Sequence, residues 1–277
     1  MTHSGPRAQA PDASATYVFA VGRDTRAMKT ADLTGLAGMP GGERVRLLTC
    51  GTLTAVVQTV PAADFTDEVW QLRLSDRQEI ERYARAHHEV VSAAAAIGPA
   101  VPLPLATLYH DDERARRVLD DEAARFHGAL KRIAHHAEWG VKVYASHAPP
   151  ERQDPAQNRP VSTGAGRREA PAAGAGLAYL NRKRGVHEGR ERRREEAMNV
   201  AQSVDAELRE IAAAARRLRT HDAAPGEQRV HTLNATYLIA ADRTDELMRM
   251  TTALRERTGA QIEVSGPWVP YSFVGEV

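Results

Sequence analysis

The sequence contains a single cysteine, Cys50, among 277 residues. An intrachain disulfide is therefore excluded, and with it the stapled, loop-rich scaffolds of small secreted proteins. Cys50 falls in a strand-like stretch and reads as a buried small hydrophobe rather than a reactive thiol. Aromatic residues are scarce, 5 % against 42 % hydrophobic residues overall. Much of the apolar content is alanine, which suits close helix packing better than a ligand cage. Net charge is also small, formally +1, so bulk charge draws the chain neither to nucleic acid nor to anionic lipid. The one uncharged stretch that resembles a membrane span, residues 93–109, is interrupted by Gly98, Pro99, Pro102 and Pro104. It is shorter than the roughly 20 apolar residues a spanning helix needs. Residues 1–15 hold no apolar signal core and read as a disordered tail.

Catalytic signatures are missing as well. There is no G-x-S-x-G elbow, no Walker loop and no G-x-G-x-x-G. The small-residue runs around Gly164 and Gly174 follow no strand and belong to a linker. Histidines are the first temptation: His87-His88 and His135-His136 read as lying on the two helices of the first lobe, with His110 and His127 nearby. Neighbouring helical residues point about 100° apart, so each doublet offers at most one ligand to a shared metal. His87 sits on an apolar stripe and reads as a hydrogen-bonded core histidine, and no metal site is expected. The carboxylates Asp111, Asp112, Glu113, Asp120, Asp121 and Glu122 cluster where they cap and solvate a helix, so no catalytic pair is assigned. The basic run Arg182, Lys183, Arg184, Arg190, Arg192, Arg193 and Arg194 is interleaved with Glu188, Glu191, Glu195 and Glu196. Pairing at helical spacing makes it a solvated helix face in preference to a nucleic-acid patch.

What is present is an α+β pattern in two lobes, each a small, mainly antiparallel sheet packed with helices. Residues 16–146 form the first lobe, 147–176 a flexible linker rich in Pro, Gly and Ala, and 177–277 the second lobe. In the first lobe, residues 16–21 read as a strand with alternating faces, and 44–48 with 53–60 as a hairpin turning at Cys50-Gly51-Thr52. A helix follows, capped by Ser75 with Gln78 at the capping-box position and striped by Ile80, Tyr83, Ala84, His87, Val90, Val91, Ala94 and Ile97. Gly98-Pro99 stops it. Residues 103–109 read as a strand. A second helix begins at Asp111-Asp112, striped by Ala115, Val118, Leu119, Phe126, Leu130 and Ile133, and a strand over 139–145 closes the lobe.

In the second lobe a long helix covers residues 177–218, with heptad spacing at Ala197, Ala201, Val204, Leu208, Ile211, Ala215 and Leu218. It reads as a helix laid along a core in preference to an intermolecular coil. A β-α-β unit follows, its helix capped by Asp242 and stopped by Gly259, in a lobe open to a ferredoxin-like arrangement. The chain closes on Gly266-Pro267-Trp268-Val269-Pro270-Tyr271-Ser272-Phe273. Its two prolines keep it out of a central strand. Its aromatics Trp268, Tyr271 and Phe273 are either a clasp that seals the lobe or a contact for a partner, the clasp being favoured.

The order of these features resembles the gas-vesicle F/L family. The strand Tyr17-Val18-Phe19-Ala20-Val21, the helix at His87 followed by Val101-Pro102-Leu103-Pro104, and Glu138-Trp139-Gly140-Val141-Lys142-Val143 are similar to its first domain. Ala178-Tyr179-Leu180, Leu233-Asn234-Ala235-Thr236-Tyr237-Leu238-Ile239 and the closing segment resemble its C-terminal signatures. One departure is visible: where the family pattern has Phe-Gly after the Pro-Leu turn, this chain has Leu105-Ala106. The resemblance implies a non-enzymatic accessory or minor structural protein without cofactors. Its partners would be the major vesicle shell protein and other vesicle accessory proteins, and its location the cytoplasm and the gas vesicle. Two alternatives stand beside it: a metal-dependent hydrolase built on the first-lobe histidines, and a nucleic-acid binder using residues 182–194.

Overall fold

The computed structural model describes residues 13–30, 32–33, 35–144, 175–219 and 231–275; the side chains of 175–182, 186 and 190 lie outside that description. Residues 147–174 of the expected linker and most of the expected N-terminal tail also fall outside it, while the last two linker residues, Ala175 and Gly176, are helical. The chain divides into two compact units. One comprises Met1–Trp139, Leu238–Ala241 and Gly266–Val277, and the other Gly140–Tyr237 and Asp242–Ser265. The closing segment, placed with the second lobe by sequence order, thus belongs to the first unit.

The first sheet is built on β1 (Ser14–Arg23), β2 (Arg46–Cys50), β3 (Leu53–Pro61), β4 (Ala100–Pro102) and β5 (Leu108–Tyr109). Its order is β2-β3-β1-β4, with β5 also pairing β1. All these pairings are antiparallel. The β2–β3 hairpin turns at Gly51, whose φ of 56° lies in the left-handed region that glycine adopts at least cost. The alternation of β1 does not separate a buried face from a wet one. Its Thr16–Val21 run is buried throughout, because helices cover both faces of the sheet. Val18 and Val21 pack into one cluster with Leu119, Phe126 and Leu130, while Tyr17 and Phe19 pack into another with Tyr83, Val90 and Val91. A β-bulge between Val18 and Ala20 resets the phase.

The helices of this unit are α1 (Arg26–Lys29), α2 (Asp67–Ser75), α3 (Arg77–Ile97), α4 (Asp112–Asp121) and α5 (Ala123–Ile133). α3 buries Tyr83, His87, Val90, Val91 and Ala94 from the expected stripe. Its cap is Asp76, not Ser75: the Asp76 carboxylate accepts from the backbone N–H groups of Gln78 and Glu79, and Ser75 ends α2. The single helix expected after Asp111 is two, broken at Glu122, although its stripe is buried at Ala115, Leu119, Phe126, Leu130 and Ile133. The strand expected over 103–109 forms only at its end, as β5, while 103–107 are a loop and turn and β4 precedes it.

The second sheet contains β6 (His136–Tyr144), β7 (Ala214–Arg217), β8 (His231–Ala240) and β9 (Gln261–Trp268), in the order β7-β8-β6-β9. Its helices are α6 (Ala175–Ile211) and α7 (Thr244–Thr258). The chain order β6-α6-β7-β8-α7-β9 with that strand order is the ferredoxin-like arrangement. β6, expected to close the first lobe, instead sits at the middle of this sheet. α6 buries Ala201, Val204, Leu208 and Ile211 against its own unit, which is the expected helix on a core. It ends at Ile211, however, and Ala215 lies in β7. α7 has no side-chain cap from Asp242, which lies in the preceding 3-10 turn, while Gly259 ends the helix at φ 63°. β9 runs on through Pro267, which an edge strand tolerates.

Candidate interaction surface

The terminal segment is held to the first unit by specific bonds. The Glu138 carboxylate accepts from the Ser272 backbone N–H at 2.9 Å and from the Ser272 hydroxyl at 2.6 Å. The Arg132 guanidinium donates to the Phe273 carbonyl at 3.0 Å. Glu138 is itself buried, so its charge is compensated by the segment it holds. Phe273 is 7 % exposed, and Val274 enters the cluster of Val18, Leu119 and Phe126.

The three aromatic residues singled out in the sequence are not equivalent. Phe273 points inward. Trp268 is 48 % exposed and Tyr271 37 % exposed. A clasp made by all three is therefore corrected: Phe273 is the buried one. Trp268 and Tyr271 flank His88 of α3, with ring centroids at 5.9 Å and 6.2 Å from the imidazole. Two exposed aromatic rings thus stand on a backbone that does not depend on them for its anchoring.

His87 is buried beside this surface. Its Nε2 lies 3.1 Å from the Leu103 carbonyl, which can only accept, so Nε2 carries the proton. Nδ1 then accepts from the Tyr17 hydroxyl at 2.9 Å, and the Tyr17 oxygen accepts from the Ala106 N–H at 3.0 Å. Burial lowers the His87 pKa from 6.5 to about 4. Both ring nitrogens are thus committed to the chain that ties β1 and α3 to the Pro-rich turn. Ala106, at the family's glycine position, has φ 66°, in the left-handed region.

The other histidines are dispersed. His127 pairs with Thr52, His136 with the Ala134 carbonyl and His88 with Ser92. Among the described residues no three His, Cys, Asp or Glu side chains are arranged to hold a metal ion. Cys50 is buried, and burial pushes its thiol up to about 11, which keeps it protonated.

Sequence reading missed a polar cluster in the second unit. Buried Asp205 of α6 accepts from the Tyr237 hydroxyl at 2.7 Å, from the Arg217 side chain at 2.6 and 3.0 Å, and from Arg209 at 3.1 Å. This ties β7 and β8 to the helix. The pairing expected along residues 182–194 is not formed by the described basic side chains. His187 stands 3.4 Å from Glu191, but Lys183, Arg184, Arg192, Arg193 and Arg194 have no ion-pair partner among the described residues.

No helix among the described residues is long and apolar enough to cross a membrane. The family model for the gas vesicle synthesis proteins GvpL/GvpF matches residues 15–275. Gas vesicle protein L from Streptomyces sp. (strain CB03234) is 35 % identical over 264 residues, covering 94 % of this chain and 92 % of that protein. Gas vesicle protein F from the same strain is 25 % identical over 265 residues, with 94 % and 99 % covered. Two crystal structures share the fold. GvpF from Anabaena sp. PCC7120 matches with TM-score 0.63 at 15 % identity, covering 94 % of this chain and 96 % of that one. GvpF from Microcystis aeruginosa matches with TM-score 0.57 at 13 % identity, covering 94 % and 98 %. The match spans both units and every signature quoted from the sequence, so the chain belongs to the GvpL/GvpF family of gas vesicle proteins.

Proposed function

We propose that this protein binds the major shell protein of the gas vesicle in the cytoplasm and assists the assembly or nucleation of the vesicle. Membership in a gas vesicle family sets aside the metal-dependent hydrolase. The observation that carries the reading is the exposed pair Trp268 and Tyr271 on a firmly anchored segment. Rigid, half-exposed aromatics supply large contact area at low entropic cost, and they are the residue types enriched at interface centres. A shell that encloses gas must be built from subunits with large apolar surfaces and unpaired strand edges. Both promote aggregation before polymerisation. A partner offering an aromatic patch covers such a surface while the subunit waits.

The test pairs two measurements on one preparation, thermal unfolding and capture of the purified shell protein. Because Trp268 and Tyr271 are only partly buried, replacing each by alanine should cost less than the ~3–5 kcal/mol of emptying a core aromatic site, and the double variant should remain folded. The same change should weaken shell-protein capture strongly. Undiminished capture by this variant would refute the assignment of the surface.

A further inference from the structure

α2 is held to its unit by one side only. Its nine residues, turning by about 100° each, divide into two faces: Val69, Trp70 and Arg73 are partly buried, while Leu74, Asp67, Gln71, Ser75, Glu68 and Leu72 follow one another around the outward side and are all exposed. The inward side is well anchored. Trp70 stacks on the Phe65 ring at 5.7 Å and meets Tyr83 edge-on at 5.7 Å. The Arg73 guanidinium lies 4.6 Å from the centre of the Tyr83 ring, and it donates to the Asp64 carbonyl and, at 3.2 Å, to the Asp64 carboxylate. On the outward side Leu72 is 71 % exposed and Leu74 50 % exposed. These two leucines border the face, and Asp67 and Glu68 lie between them. Its charge has one sign. Residues 62–76 hold the carboxylates Asp64, Asp67, Glu68 and Asp76 against a single base, Arg73. Arg73 is committed to Asp64, and Arg77 and Arg82 at the start of α3 are committed to Glu81 and Glu79. Among the described residues Asp67 and Glu68 form no ion pair.

We infer that the outward face of α2 docks a basic, amphipathic segment of another protein, with apolar side chains on Leu72 and Leu74 and a lysine or arginine between them on Asp67 and Glu68. The chain's own remaining segments do not supply that guest: residues 1–12, 145–174 and 220–230 contain no leucine, isoleucine, phenylalanine, tyrosine or tryptophan. Charge then selects among outside partners. A nucleic acid and an anionic lipid surface are both repelled by Asp67 and Glu68. A cationic side chain gains charge-assisted bonds from the same two carboxylates, and its apolar neighbours remove from water the area that Leu72 and Leu74 expose. This face shares no residue with the terminal surface and does not rest on the reading given to Trp268 and Tyr271.

The test uses the full chain and a fluorescein-labelled synthetic peptide of lysine pairs separated by single leucines, read by anisotropy. Binding should saturate, weaken as salt rises, and weaken further when the leucines of the peptide are replaced by serine. The double change Leu72→Ala with Leu74→Ala keeps good helix formers on an exposed face and should reduce affinity at least tenfold. Asp67→Asn with Glu68→Gln removes the charge and should do the same. Gln71→Lys, which puts a like charge at the centre of the face, serves in its place should the loss of first-turn carboxylates lower the melting temperature. Trp268→Ala should leave peptide affinity unchanged. The inference is overturned by absence of saturable peptide binding, by indifference to the α2 variants, or by an equal loss in Trp268→Ala. It is also overturned if the protein alone cosediments with phosphatidylglycerol vesicles and the leucine double variant does not, because α2 would then serve a lipid surface.

Discussion

Acidification offers a sharp probe of the first unit, because one buried group should dominate its response between pH 6.5 and 4. The His87 pKa falls from 6.5 to about 4, with burial as the main cause. The folded pKa is below the unfolded one, so the unfolded chain binds more protons across that interval. Stability is therefore fully present above pH 6.5 and is lost as pH falls toward 4. A tenfold difference in proton affinity between the two states corresponds to about 1.36 kcal/mol, so the full interval is worth roughly 3 kcal/mol, a large share of the ~5–15 kcal/mol typical of a domain. Protonation also places a donor at Nδ1 against the Tyr17 hydroxyl, which must rotate away and abandon its bond. Asp24 and Asp112, held below the ordinary value of 3.8 by hydrogen bonds from Lys29 and Arg46, act at lower pH and do not mask this interval. So does Asp205, whose bonds from Tyr237 and two arginines outweigh the upward push of its burial. Urea unfolding at closely spaced pH values from 7.5 to about 4.5 measures the slope across this window. His87→Gln keeps a donor for the Leu103 carbonyl and removes the titration, so this variant, though weaker overall, should be nearly flat over the same range. A wild-type slope unchanged in His87→Gln would refute the reasoning.

Three further changes have worked expectations. Gln58 is fully buried, accepts from the Met39 N–H at 2.7 Å and donates to the Glu43 carbonyl at 2.6 Å; Gln58→Ala orphans these groups and should cost about 2–4 kcal/mol in chemical denaturation. Ala106→Gly relieves a left-handed conformation worth ~1–2 kcal/mol at the cost of some unfolded-state entropy, so the melt should rise by the equivalent of about 0.5–1 kcal/mol. A fall would show that the Ala106 methyl contributes packing that outweighs the strain. Phe273→Ala removes the inward ring of the terminal segment and should cost about 3–5 kcal/mol, in contrast to the smaller effect expected at Trp268.

The sequence announces an element well where one face is buried and the other is wet. α3, α4 and α5 show this, since their burial repeats at three and four residues along stripes read directly from the chain. α2 escapes a periodic reading because it buries no residue. The available signal is its cap, Thr66, followed by Asp67 and Glu68 in the first turn. The sheet that receives β6 is not legible either, because its partners β8 and β9 lie far along the chain and no local pattern encodes pairing between distant strands. β7 shows a contest of forces. Its alanines favour continuing α6, and the heptad spacing extends to Leu218. Asp205 wins by holding Arg217, and the Leu218 N–H then donates to the Asn234 carbonyl at 2.8 Å.

The interaction surface is the hardest part to read from sequence, for a physical reason. A local pattern treats every large apolar residue as a candidate for burial, and a ring that serves a partner has the same chemistry as one that serves the core. Phe273 and Trp268 stand close together on one segment, yet one is enclosed and the other open. What separates them is the tertiary anchoring: Glu138 and Arg132 bind Ser272 and the Phe273 carbonyl and so fix that end of the segment. Trp268 ends an edge strand beside His88 and stays 48 % exposed. Binding surfaces arise where the apolar pattern and the fold disagree. On this chain that disagreement is sharpest at Trp268 and Tyr271.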